Sequence, residues 1–72
     1  MRIISQDRAT NVPYENNILC IISDDEKNEH YIAVRNASLT GFMPLATYDN
    51  KEAAQRSFNA IIESSDNVYY LN

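Results

Sequence analysis

The sequence contains no tryptophan, one glycine, one cysteine and two prolines in 72 residues. Because a disulfide within one chain needs two cysteines, no internal disulfide can support the fold. The single thiol, Cys20, lies in the apolar run of residues 18–22, where we expect it to pack as a small buried hydrophobe. This cysteine usage is typical of a reducing compartment, so we expect a cytoplasmic protein.

Long apolar runs are also missing. No segment approaches the roughly 20 apolar residues that a membrane-spanning helix needs. The acidic residue Asp7 follows the start too closely for a secretory signal. The sequence therefore predicts neither export nor membrane insertion.

Basic residues are scarce, with six Lys and Arg against ten Asp and Glu, for a net charge of −4. Affinity for nucleic acid depends on Lys and Arg that displace counterions from phosphates. The basic residues are scattered and form no stripe, so we do not expect nucleic acid as a partner.

The hydrophobic residues, 44% of the chain, suffice for one folded domain that spans residues 1–72. A chain of this size hides only about 60% of its unfolded surface, which leaves a marginal core. We therefore expect a homodimer or higher oligomer.

One segment, residues 49–64, has the apolar periodicity of an amphipathic helix. Asp49 is the expected N-cap, and Glu52 follows at the spacing of a capping box. Asn67 is the expected left-handed residue after the helix. The predicted apolar stripe consists of Ala53, Ala54, Ser57, Phe58, Ile61 and Ile62.

The rest of the chain is typical of strands and turns. Strand-like runs occupy residues 2–6, 18–23, 30–35 and 42–48, with turns at 7–11, 24–29 and 36–41. Pro13 favours an edge strand or a connection, and Pro44 favours an edge strand or a strand that starts after it. The run at 18–22 is typical of a central strand covered on both faces. Residues 68–71 are expected either to form a short final strand or to lie across the sheet of a second copy.

The predicted fold class is therefore α+β, with one antiparallel sheet of about four strands and the helix across one face. One helix covers one side of such a sheet. We therefore expect self-association through the uncovered face or through an edge strand.

Tyrosine is the one residue type in excess. Half-buried sheet positions are the favoured explanation for them, because tyrosine has a high strand propensity. The alternative is an interaction surface, since tyrosines bury large area at protein interfaces and keep a hydroxyl for a partner. The candidate interaction residues are Tyr14, Tyr31, Tyr48, Tyr69 and Tyr70.

No residue is assigned a catalytic, metal-binding or cofactor-binding role. His30 is the only histidine and lacks a predicted orienting partner. The acidic residues of the turn at 24–29 lack the spacing of a calcium loop, which favours a solvated hairpin tip. This acidic surface could alternatively imitate nucleic acid and block a DNA-binding protein.

The opening residues 1–7 (MRIISQD), the segment 12–15 (VPYE) and the residues 45–48 that lead into the helix resemble a group of uncharacterised small proteins. These proteins occur in Gram-positive bacteria and in their phages and prophages. The resemblance implies a cytoplasmic setting and supplies no catalytic residue.

The leading functional prediction is a non-enzymatic protein–protein interaction module, an accessory protein of phage or prophage origin. Its expected partner is an unknown host or phage protein, besides further copies of the chain. The alternative is a small enzyme or ligand-binding subunit with a pocket at a dimer interface that involves His30.

Overall fold

The computed structural model describes residues 1–38 and 40–72. In chain order the elements are β1 (Arg2–Ile4), β2 (Asn11–Pro13), β3 (Ile18–Asp24), β4 (Glu29–Arg35), β5 (Met43–Tyr48), α1 (Lys51–Glu63) and β6 (Val68–Tyr70). The predicted α+β class is confirmed. The predicted turn at 36–41 includes Leu39, which lies outside the described residues.

The strands form two three-stranded sheets, ordered β2-β1-β6 and β3-β4-β5. The prediction of a single sheet was therefore wrong. The reason lies in β1, which pairs antiparallel with β2 on one edge and parallel with β6 on the other. Backbone bonds from Arg2 N to Asn67 O (2.8 Å) and from Leu71 N to Ile4 O (3.0 Å) hold β6 in place. With both edges occupied, β1 cannot join the larger sheet.

In the larger sheet β4 is the central strand, paired antiparallel with β3 and with β5. The prediction that residues 18–23 form the central strand was wrong, because β3 lies at an edge and Ile18 is 63% exposed. β3 comes just before β4 in the chain and β5 just after it, and each pairs with β4 as a sequence neighbour. Pro44 does lie in an edge strand, as predicted, next to an irregularity in the β4–β5 register.

One hydrophobic core joins both sheets and the helix. Its buried members are Ile3, Val12, Ile32, Val34, Leu45, Ala46, Ile61 and Leu71. The helix packs against β3, β4 and β5 and buries Ala54 and Ile61. Ile62 is 51% exposed, so its assignment to the apolar stripe was wrong. Among the described residues, the core therefore fills the space on one side of the larger sheet only.

The helix begins one residue later than predicted. Its N-cap is Asn50, whose Oδ1 accepts a 2.8 Å hydrogen bond from Ala53 N, so the assignment to Asp49 was wrong. At the other end Ser64 is the C-cap in an extended conformation. Asn67 is not left-handed, since Arg8 and Asn28 are the non-glycine residues with positive φ in the described ranges.

Across residues 1–38 and 40–72, no helix combines the length and apolar composition needed to cross a bilayer.

The turn between β1 and β2 is closed by the buried Ser5. Its hydroxyl donates to Asp7 Oδ1 at 2.6 Å and accepts from Thr10 N at 2.9 Å. The same carboxylate oxygen accepts from Ala9 N at 3.0 Å. The hydrogen bond from Ser5, followed by that from Ala9, lowers the pKa of Asp7 below its ordinary value.

Substitution of the N-cap should weaken the helix. We expect Asn50→Ala to lower the free energy of unfolding by about 1 kcal/mol, because Ala53 N loses its acceptor. Asp49→Ala, one residue earlier, is the matched control and should change the stability much less. Urea unfolding followed by circular dichroism measures both. An equal loss in the two variants would contradict the assignment of Asn50 as the cap.

Acid should weaken the β1–β2 turn through Asp7. Because the pKa of this carboxyl is lower in the folded state, its stabilisation is complete above the unfolded value near 3.8. The stabilisation is lost as the pH falls from there through the folded pKa. We expect the free energy of unfolding of Asp7→Asn to depend less on pH below about 4 than that of the natural chain. Parallel pH dependences of the two proteins would refute this assignment.

Candidate functional site

The two faces of the larger sheet have different surroundings. Along β4 the buried residues His30, Ile32 and Val34 alternate with Tyr31, Ala33 and Arg35. The first set points to the core. The second set, with the residues of β3 and β5 on the same side, forms what we call the outer face. Its members are Ile18, Cys20, Ile22, Asp24, Glu29, Tyr31, Ala33, Arg35, Phe42, Pro44 and Thr47.

The centre of the outer face is apolar. Phe42 is 50% exposed, although Ala33 beside it is almost fully buried. A shallow hollow of about 330 Å³ is lined by Ile22, Tyr31, Ala33, Phe42 and Pro44. Exposed apolar surface of this kind is common at sites where another protein binds.

Charged side chains stand at opposite ends of the outer face. At one end the Arg35 guanidinium carbon lies 5.9 Å from the centre of the Phe42 ring. At the other end are Asp24 and Glu29, which form the last pair of the β3–β4 hairpin. An apolar centre between basic and acidic ends has the general anatomy of a protein interface.

Tyr31 is tied to the acidic end. Its hydroxyl donates to Glu29 Oε2 at 2.8 Å. This hydrogen bond, together with burial and the charge of the carboxylate, raises the pKa of Tyr31 above its ordinary value. The bond holds the ring against the apolar centre and satisfies its polar end.

Cys20 lies on the outer face and not in the core. It is half-buried, and its Sγ lies 3.4 Å from the carbonyl oxygen of Ala33. Burial raises the pKa of the thiol, which lowers the fraction of reactive thiolate at neutral pH. The geometry favours a packing role for this residue over nucleophilic chemistry.

The two edges of the larger sheet differ in the hydrogen bonds that they make. At β5 the Gln6 backbone N donates to Leu45 O at 2.8 Å, and Gln6 Oε1 accepts from Thr47 N at 3.1 Å. Gln6 Nε2 also donates to the backbone oxygen of Asn72 at 2.9 Å. In the described ranges, the β3 backbone makes hydrogen bonds to β4 and to no other element.

The five candidate tyrosines do not share one surface. Tyr31 lies on the outer face, whereas Tyr14, Tyr48 and Tyr69 are half-buried and pack against the core. The hydroxyl of Tyr48 is buried and has no hydrogen-bond partner within the described part of the chain. Tyr70 is 58% exposed and lies 5.2 Å from the Arg8 guanidinium carbon, on the smaller sheet.

Three residues of this surface, Phe42, Ile18 and Pro44, were not among the candidates predicted from the sequence. A usable signal existed for Ile18, because alternation along an edge strand places it with Cys20 and Ile22 on one face. That signal was read instead as a strand covered on both faces. The position of Phe42 depends on the pairing of β5, which its local sequence does not specify.

His30 is placed on the core side. The residue is 6% exposed, and its Nδ1 lies 2.9 Å from the Ser23 hydroxyl. A dissolved substrate has little access to this ring in the single chain. At the neighbouring tip, Asp24 Oδ1 accepts from Glu26 N (3.2 Å) and Lys27 N (3.3 Å), which is turn geometry. Among residues 1–38 and 40–72, no group of three or more His, Cys, Asp or Glu is arranged to hold a metal ion.

Comparison of the chain with protein-family models, with curated proteins and with solved structures finds no significant match. The resemblance to small proteins of Gram-positive bacteria and their phages therefore stays a prediction. The geometry of the outer face is the observation on which a functional proposal can rest.

The link between Tyr31 and Glu29 can be tested by titration. Because the carboxylate acceptor raises the pKa of Tyr31, Glu29→Gln should lower that pKa towards its ordinary value. The ¹³Cζ resonance of labelled tyrosine reports each phenol separately at alkaline pH. The assignment is wrong if Tyr31 titrates identically in both proteins. Glu63→Gln, on the exposed helix end, serves as the control.

Proposed function

We propose that the chain is a non-enzymatic protein–protein interaction module whose binding surface is the outer face of the β3-β4-β5 sheet. The observation that carries this proposal is the exposure of two large apolar residues on this face, Ile18 at 63% and Phe42 at 50%, together with an apolar hollow that Phe42 lines. The core covers the opposite side of the same sheet and leaves this side to a partner.

The residues of the hollow suit the centre of an interface. Phe42 and Tyr31 are aromatic side chains with few rotatable bonds, so fixing them on binding costs little conformational entropy. Pro44 and Ala33 add rigid apolar area between them. Burial of Phe42 by a partner would remove its exposed half from water, and this is the main source of affinity that we propose.

The charges around the hollow favour a particular kind of partner. The chain carries a net charge of −4, which attracts a basic protein surface over long range. Arg35 supplies a local cation at one end of the face. An acidic or aromatic group of the partner would bind favourably to this guanidinium. The proposed partner surface is thus apolar at its centre and predominantly basic at its rim.

The proposed setting is the cytoplasm of a Gram-positive bacterium, where the chain acts as an accessory protein of phage or prophage origin. The acidic composition supports a protein partner over a nucleic acid. The placement of His30 on the core side supports binding over catalysis.

A charged residue in the wall of the apolar hollow should abolish partner binding. We expect the tagged natural chain to capture a partner from its native cells, and Phe42→Asp to lose that partner because it places a carboxylate in the apolar contact. Ile62→Asp is the matched control, since Ile62 is 51% exposed and lies on the helix. It should retain the partner.

Two outcomes of this capture experiment would contradict the proposal. Retention of the partner by Phe42→Asp would show that the outer face is not the binding surface. Recovery of no partner by the natural chain would remove the proposed function itself. Circular dichroism of each variant separates loss of binding from loss of fold.

A further inference from the structure

Among residues 1–38 and 40–72, β3 presents the one long strand edge without protection. Strand edges invite pairing with another chain unless they are short, bear proline or charge, or are covered. β2 and β6 have three residues each, and β2 contains Pro13. β5 contains Pro44 and is covered by Gln6. β3 has seven residues without proline, and its first five residues are apolar.

We propose that β3 pairs antiparallel with β3 of a second copy of this chain, which joins two larger sheets into one continuous six-stranded sheet. The two-fold axis passes beside Cys20. In this register Cys20 lies opposite Cys20 of the second copy, and Ile18 lies opposite Ile22. All five apolar residues of each edge then face apolar residues.

The charge pattern supports an antiparallel arrangement of two identical chains. Arg35 pairs with Ile18 at the beginning of β3, whereas Asp24 and Glu29 lie at the opposite end. Antiparallel pairing brings the acidic end of each copy towards the basic end of the other. Parallel pairing would instead place the two acidic ends side by side, which is unfavourable.

The register also matches the two faces of the joined sheets, outer face beside outer face and core beside core. Residues directly opposite each other in paired strands point to the same side. Cys20 against Cys20 therefore places both outer faces on one side of the joined sheet and both cores on the other. The pairing uses the strand edge and leaves Phe42 exposed, so it does not depend on the proposed function.

The native cysteine provides a direct test. Opposite residues in antiparallel strands have Cα atoms about 4.5–5.5 Å apart, a separation that a disulfide can span. Diamide, which takes up the two thiol hydrogens, should convert the natural chain into a covalent dimer. The control is Cys20→Ser combined with Phe42→Cys. Five strand spacings, about 24 Å, separate its two thiols in the proposed dimer, so it should not cross-link.

Sedimentation equilibrium supplies the second measurement. The natural chain should show twice its mass of 8.2 kDa at high micromolar concentration. Cys20→Lys places two like charges opposite each other and should weaken the dimer by about tenfold or more. Thr47→Lys adds the same charge to the same face, on β5, and should leave the dimer intact.

Three results would overturn the inference. The first is a monomer at high micromolar concentration. The second is a dimer in which diamide cross-links the Phe42→Cys control but not the natural chain with Cys20. That pattern would indicate that the two copies stack through their outer faces. The third is equal weakening by Cys20→Lys and Thr47→Lys. If Cys20→Lys fails to fold, the diamide experiment on the natural chain tests the inference instead. A covalent dimer supports the β3–β3 pairing, and no covalent dimer contradicts it. Partner capture by the outer face can succeed whichever way the dimer test falls.

Discussion

The structure depends on burial of one side of the β3-β4-β5 sheet. Ile32 and Val34 of the central strand are fully buried there, together with Ile61 of the helix. Ile3 and Leu71, from opposite ends of the chain, belong to the same core. A chain of 72 residues supplies one such layer of side chains and no second layer for the other side. The exposed outer face is a direct consequence of this one-sided core.

The smaller sheet holds the two ends of the chain together. Its central strand, β1, contributes Ile3 to the core and pairs with both β2 and β6. The residues just beyond β1 extend its influence to the larger sheet, because Gln6 bonds to the backbone of β5. The same contacts that complete the core also cover one sheet edge. Among the described residues, the long edge of β3 has no such contacts.

Much of the local structure could be predicted from residue patterns. The apolar periodicity of residues 49–64 identified the helix, and the acidic tip between two β-branched runs identified the β3–β4 hairpin. The helix start was misplaced because Asp49 and Asn50 both suit an N-cap, and backbone geometry chose Asn50. The two sheets could not be separated from sequence, because strand runs do not specify their partners over long distances in the chain.

The candidate site likewise depends on strand pairing, which residue patterns do not predict. Exposure of Phe42 and Ile18, burial of His30 and dispersal of the tyrosines all follow from which strand pairs with which. Local composition does not contain that information, since a one-residue change of register moves every side chain of a strand to the other face.

The sequence by itself determined the α+β class, the helix, the hairpin, the acidic balance and the shortage of material for a second core layer, because these depend on composition and on short periodicities. Only the tertiary structure decided that β1 lies between β2 and β6, that β4 is central and that β3 keeps an open edge. Those features depend on contacts between residues far apart in the chain, where burial of a shared core selects one pairing among several that the strands allow.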